Sequence, residues 1–134
     1  MTSTKSKTLS LHSYEDIVQV RQTTRSWMVE QRFALVEQTK MMTAASELAR
    51  NAVVYGGGGD ALLELLEESG RVGIRLLIED HGPGIADIGQ AMTDGFTGGK
   101  GMGLGLGGSK RLVDEFHIWS EPGKGTRVSI TRWK

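Results

Sequence analysis

Glu47 and Asn51 stand four residues apart in a stretch of helical periodicity, so they share one face a single turn apart. A carboxylate and an amide so placed suit a general base and an oxygen ligand for a hard cation. Magnesium takes only one or two protein oxygens and leaves its other positions to water and phosphate. A merely solvated helix face has the same spacing. Further on, Asp80-His81-Gly82-Pro83-Gly84-Ile85 cuts off a strand-like run. Its proline fixes one φ and its glycines let the backbone turn sharply and approach a ligand. Asp80 at that strand end is placed to accept a hydrogen bond from an exocyclic amine such as that of adenine; an ordinary solvated turn uses the same residues. The third stretch, Gly101-Met102-Gly103-Leu104-Gly105-Leu106-Gly107-Gly108, runs into Ser109-Lys110-Arg111 and a helical pattern. Glycines leave backbone N–H groups free for phosphate oxygens, and a helix start adds a favourable dipole.

Two familiar phosphate motifs do not fit. Gly103-x-Gly105-x-x-Gly108 matches the dinucleotide fingerprint in spacing, but no strand pattern precedes it. The run 95–100 is one residue short of a P-loop, and Gly101 stands where Ser or Thr is required. The alternating Leu and Met side chains also argue against a flexible linker, since linkers are polar.

The elements that must position these residues follow from pattern. Residues 7–12 alternate as a short strand, and Ser13 with Asp16 opens a helix over 14–30 carrying Ile17, Val20, Trp27 and Met28. A second helix spans 34–55, with Leu35, Met42, Ala45, Leu48, Ala49, Ala52 and Val53 as its buried stripe, and the glycines 56–59 end it. Residues 61–68 have helical propensity, yet Ser69-Gly70 is a hairpin signal and 72–79 alternates, so 61–68 reads as its partner strand. A helical turn over 88–92, a helix from 104 or 107 to 115, and strands 116–120 and 126–133 around the turn 121–125 complete a β-α-α-β-β-α-β-β order. That order predicts a single α+β domain over residues 1–134, a single-layer mixed β-sheet with helices on one face.

Composition narrows the function classes. At 134 residues the chain supports one real core. Its net charge is zero and no basic block stands out, which argues against nucleic-acid binding by phosphate neutralisation. There are no cysteines, the start is polar, and no apolar run reaches membrane-spanning length, so a cytoplasmic protein with no membrane partner is expected. Eleven of the 19 glycines fall between Gly82 and Gly108, the mark of a loop with a functional backbone.

Taken in order, Glu47…Asn51, Asp80-x-Gly82-x-Gly84 and Gly101-x-Gly103-Leu104-Gly105 resemble the N-box and the two glycine boxes of one ATPase/kinase superfamily. It is shared by gyrase, the Hsp90 chaperones, histidine kinases and MutL, and Gly125-Thr126 resembles its closing Gly-Thr element. The resemblance spans almost the whole chain and implies a Bergerat-type ATP-binding fold. Ser46-Glu-Leu-Ala-Arg-Asn51, Asp94-Gly-Phe-Thr97 and Lys110-Arg-Leu-Val-Asp-Glu-Phe116 are most similar to the small bacterial anti-sigma-factor serine kinases, in particular the stressosome-associated switch kinases.

The resemblance implies that Glu47 is the general base and that Asn51 holds Mg2+ against the phosphates of ATP. Asp80 would bond the adenine amine with support from Thr126. Gly82 and Gly84 would admit the nucleotide to the backbone, and Ile85 and Tyr55 would wall the base. Residues 87–105 would form a lid, with Gly101, Gly103, Leu104 and Gly105 at the phosphates and either Lys100 or Lys110 contacting them. The implied activity is serine phosphorylation of a STAS-domain antagonist in a bacterial stress-signalling partner-switching module. The alternative is an ATP-conditioned binding regulator that holds a sigma factor or activates a partner phosphatase by contact. A histidine-kinase reading is disfavoured because His12, His81 and His117 lack a helical dimerisation segment, and a plain ATP hydrolase because no transducer domain is visible.

Overall fold

The computed structural model describes residues 2–85, 89, 92 and 105–134. Five strands form one sheet in the order β1-β2-β3-β5-β4: β1 (Thr2–Leu11), β2 (Gly59–Glu68), β3 (Arg71–Asp80), β4 (Glu115–Glu121) and β5 (Gly125–Trp133). Helices α1 (Tyr14–Glu30) and α2 (Leu35–Val54) cover one face, and the short α3 (Gly105–Lys110) packs on α2. The expected α+β class and the one-sided helix layer are both present.

The sheet was expected to be mixed, but each of its four pairings is antiparallel. The antiparallel pair α1–α2 returns the chain beside β1 in the opposite sense. At the other end, β5 inserts between β3 and β4, so the two strands that run in the same sense never touch.

Helix boundaries have local causes. The Ser13 side chain accepts the Asp16 amide at 3.2 Å while the Asp16 carboxylate accepts the His12 amide at 2.8 Å, a reciprocal cap of the kind the sequence suggests. At the other end no glycine is present. Arg32 adopts φ 60, its amide donates to the Val29 carbonyl, and the Phe33 amide donates to the Met28 carbonyl. Phe33 and Met28 are both buried, so an apolar contact accompanies this left-handed stop. The amide of Ala34, which opens α2, donates to the Glu37 carboxylate at 3.2 Å.

Residues 59–68 are a strand despite their leucines because both edges are paired, with β1 and β3, and Ser69 and Gly70 supply two positive-φ turn residues. Ala61, Leu63 and Leu65 stand opposite Ile78, Leu76 and Ile74, and this side meets the helices. β1 is longer than the 7–12 expected, because its polar first half still finds backbone partners on β2.

Two expectations are corrected. Leu35 was placed in the buried stripe of α2, yet it is 70% exposed; Met41, the neighbour of the half-buried Met42, fills the core instead. The last helix was expected to reach residue 115, but it stops at Lys110, and Glu115 already pairs with Thr131. The Asp114 amide donates to the Thr131 carbonyl, and the Asp114 carboxylate accepts the Trp133 amide at 2.6 Å, which pulls this segment onto β5. Of the expected turn over 88–92, Gly89 is helical, Met92 lies in a turn, and 88, 90 and 91 lie outside the described residues.

Leu35 and Met41 therefore give opposite forecasts on one helix. Met41→Ala is expected to cost about 2–5 kcal/mol, as for a fully buried side chain, whereas Leu35→Ala stays within about 0.5 kcal/mol. The urea unfolding midpoint measures both.

Candidate active site

A cavity of about 270 Å³ opens where α2 ends against the ends of β3 and β5. Helix α2 contributes Leu48, Asn51, Ala52 and, at its end, Tyr55 and Gly56. Positions 48, 52 and 55 repeat at helical spacing, so one stripe of the helix forms a wall. The sheet contributes Ile78, Asp80, Thr126 and Val128, and the loop after β3 adds Pro83, Gly84 and Ile85. Gly105 and Leu106, at the start of α3, complete the lining. A mostly apolar cleft with a few fixed polar groups is the usual form of a small-molecule site, and its volume lies near the lower end for such sites, roughly 300–1,000 Å³.

Among the described residues Asp80 is the charged one in this lining, and it is only 9% exposed. Its Oδ1 accepts the Gly82 amide at 3.0 Å, so the side chain is held by its own turn. Glycines close around it. A Cβ on Gly56 would collide with the Asp80 carboxyl, one on Gly82 would meet the Gly56 backbone, and Gly125, at φ 93, backs directly onto the Asp80 carbonyl. The two glycines of the loop thus have packing reasons of their own. Gly82 lets the loop lie against the end of α2, and Gly84, at φ 75, lies against the Glu121 carbonyl.

Thr126 is the β5 partner of Asp80 in the antiparallel register, so its side chain stands beside the carboxylate in the cavity. The Tyr55 hydroxyl is buried without a hydrogen-bond partner among the described residues. Tyr55 belongs to the cavity wall.

Glu47 is 8% exposed and accepts the Gly105 amide at 3.3 Å. It does not line the cavity. It lines a second, open groove between α1 and α2, together with Arg21, Arg25 and Arg50, while its partner Gly105 belongs to the cavity. Glu47 therefore stands in the wall between the two spaces. None of the three arginines forms an ion pair among the described residues, and Nη1 of Arg50 is buried without a partner.

Of the residues singled out in the sequence, the cavity gathers Asn51, Tyr55, Asp80, Gly84, Ile85, Gly105 and Thr126. Lys110 is exposed on the last turn of α3 and away from the lining. Lys100, Gly101, Gly103 and Leu104 lie outside the described residues, as does most of the lid expected over 87–105. The sequence reading missed Gly56 as a site residue, although the abrupt glycine run after Tyr55 was its signal. It also missed Ser120, whose hydroxyl accepts the Ile85 amide at 2.7 Å and which nothing in its local pattern marks. Among the described residues no group of three or more His, Cys, Asp or Glu side chains is placed to hold a metal ion. Nor is any described helix long and apolar enough to cross a membrane.

Comparisons with known proteins identify the family and the fold. Residues 36–134 match the family model described as histidine kinase-, DNA gyrase B-, and HSP90-like ATPase. The chain is 44% identical over 118 residues to the serine/threonine-protein kinase RsbT of Bacillus subtilis (strain 168), covering 88% of this chain and 89% of that one. It is 31% identical over 101 residues to the anti-sigma F factor of Clostridium novyi (strain NT), covering 72% and 71% respectively. The fold is similar to that of a crystal structure of RsbU and RsbW domains from Mycobacterium tuberculosis, with a TM-score of 0.63 at 21% identity over 98% of this chain and 33% of the other. A mycobacterial sensor histidine kinase, MprB, matches in fold at a TM-score of 0.57 and 17% identity, over 96% of this chain and 97% of that one.

The role expected of Asp80 is tested by Asp80→Asn. Loss of a charge-assisted hydrogen bond is worth roughly 1.5–3 kcal/mol, so adenine-nucleotide affinity should fall at least about tenfold in calorimetry with the circular dichroism spectrum unchanged. Unaltered affinity would remove Asp80 as the base reader.

Proposed function

Because the chain belongs to the histidine kinase-, DNA gyrase B-, and HSP90-like ATPase family, we propose that its cavity holds ATP with the adenine against Asp80 and Thr126 and the phosphates toward Asn51 and Gly105. The chain is a protein serine/threonine kinase of the partner-switching kind. The observation that carries the residue assignment is the position of Glu47, a buried carboxylate held by the Gly105 amide in the wall between the nucleotide cavity and an open groove.

That position suits a base that must meet two reactants from opposite sides. A serine hydroxyl of a partner protein enters from the groove, and the Glu47 carboxylate takes its proton. The serine oxygen bonds to the γ-phosphorus as the bond from that phosphorus to the ADP oxygen breaks. Phosphoryl transfer asks mainly for positioning and charge stabilisation, so the fold needs little covalent machinery. Magnesium, when bound, neutralises charge on the β- and γ-phosphates. The Asn51 amide oxygen is the protein ligand assigned to it, and a single protein oxygen suits an ion that arrives on phosphates. The partner is a STAS-domain antagonist protein, and the setting is a bacterial stress-signalling module.

Glu47→Gln isolates the base, since the amide oxygen still accepts the Gly105 N–H. Transfer of phosphate to a STAS-domain acceptor is expected to fall about 10²–10⁴-fold while ATP affinity is kept. Asn51→Ala should instead weaken the magnesium-dependent part of ATP binding. Phosphotransfer by Glu47→Gln at the parent rate, followed by mass spectrometry of the acceptor, would overturn the assignment.

A further inference from the structure

Ser120, at the end of β4, makes three contacts through one oxygen. It accepts the Ile85 amide at 2.7 Å, donates to the Gly125 carbonyl at 3.0 Å, and lies 2.8 Å from the Thr126 hydroxyl oxygen. A serine hydroxyl has one proton and two lone pairs. The Ile85 N–H takes one lone pair. If the Ser120 proton went to Thr126, the contact with the Gly125 carbonyl would set two acceptors face to face with no proton between them. If it goes to Gly125, Thr126 donates into the second lone pair and all three contacts are satisfied at once. Only the second arrangement leaves nothing unpaired.

The proton of Thr126 is thereby used on the side away from the ligand. What Thr126 presents to the cavity is lone pairs alone, beside a carboxylate that also only accepts. We infer that Ser120 is a positioning residue that fixes Thr126 as an acceptor and so sets the preference of the cavity for a base with an amino group over one with a carbonyl at the same place. This rests on the reading of the cavity as a purine-nucleotide site. The 6-amino group of adenine carries two protons, one for Asp80 and one for Thr126, directly or through a water. Hypoxanthine carries a carbonyl oxygen at that position, which neither Asp80 nor Thr126, both acceptors there, can satisfy. A buried acceptor facing acceptors lowers affinity by about five- to a hundredfold.

The test compares ATP and ITP binding by calorimetry, because the two differ only at the base edge in question. In Ser120→Ala the Thr126 proton is released and becomes available to the ITP carbonyl, so the ATP-to-ITP affinity ratio should fall about tenfold. Ser120→Thr keeps the hydroxyl and should hold the ratio within about twofold. In a Thr126→Val background, Ser120→Ala should leave the ratio unmoved, since it acts through Thr126. Equal weakening of both nucleotides by Ser120→Ala would mean that Ser120 only braces the loop, and the inference is overturned. It is equally overturned if the ratio still falls in the Thr126→Val background. Should Ser120→Ala not fold, Ser120→Gly takes its place: a lowered ratio that vanishes in the Thr126→Val background supports the inference, and an unchanged ratio sinks it. A parent protein that binds both nucleotides equally overturns this inference and leaves the nucleotide site standing; one that binds neither overturns both.

Discussion

Burying one carboxylate is the constraint on which the rest of the structure depends. An aspartate at 9% exposure is costly unless its oxygens are satisfied. Oδ1 takes the Gly82 amide, which obliges the chain to turn immediately after β3. That turn lies against the end of α2, which is possible because neither Gly82 nor Gly56 has a side chain. The β5 strand must then begin with a residue able to back onto the Asp80 carbonyl, and Gly125 does so. Glycines that look like loop flexibility in the sequence are here the space around a charge.

Helix α2 separates two tasks by its own periodicity. Its Leu48–Ala52–Tyr55 stripe walls the cavity, while Glu47 sits in the partition toward the arginine-lined groove. Asn51, one turn from Glu47, reaches the cavity itself. The Gly105 amide joins the partition to α3, so the last residue of the second glycine box and Glu47 share a hydrogen bond. Cavity and groove are thereby connected through one bond of 3.3 Å.

Much of this was legible because the signals were local and periodic. The cap at Ser13, the alternation of β3, the Ser69-Gly70 hairpin and the Glu47–Asn51 spacing all act within a few residues. What escaped depends on tertiary context. Leu35 carries an apolar side chain where α2 meets no neighbour. Helix α3 ends early because Asp114 pairs with β5, a partner distant in sequence. The sense of the sheet follows from where β5 inserts, which no window of residues contains. Ser120 looks like any half-buried strand serine until Ile85, Gly125 and Thr126 are brought around it.

The insertion of β5 also bears on how the molecule comes into being. Of the described elements, β5 is made last, yet it lies inside the sheet between β3 and β4, with Thr126 in the cavity and the Trp133 ring over Gly73. A nascent chain that has emerged only as far as β4 has a sheet with its inner seam open and the Thr126 side of the cavity missing. Pairings between segments so far apart in sequence form slowly. The cavity is therefore walled on all sides only once the closing strand is in place, because β5 carries Thr126 and Val128.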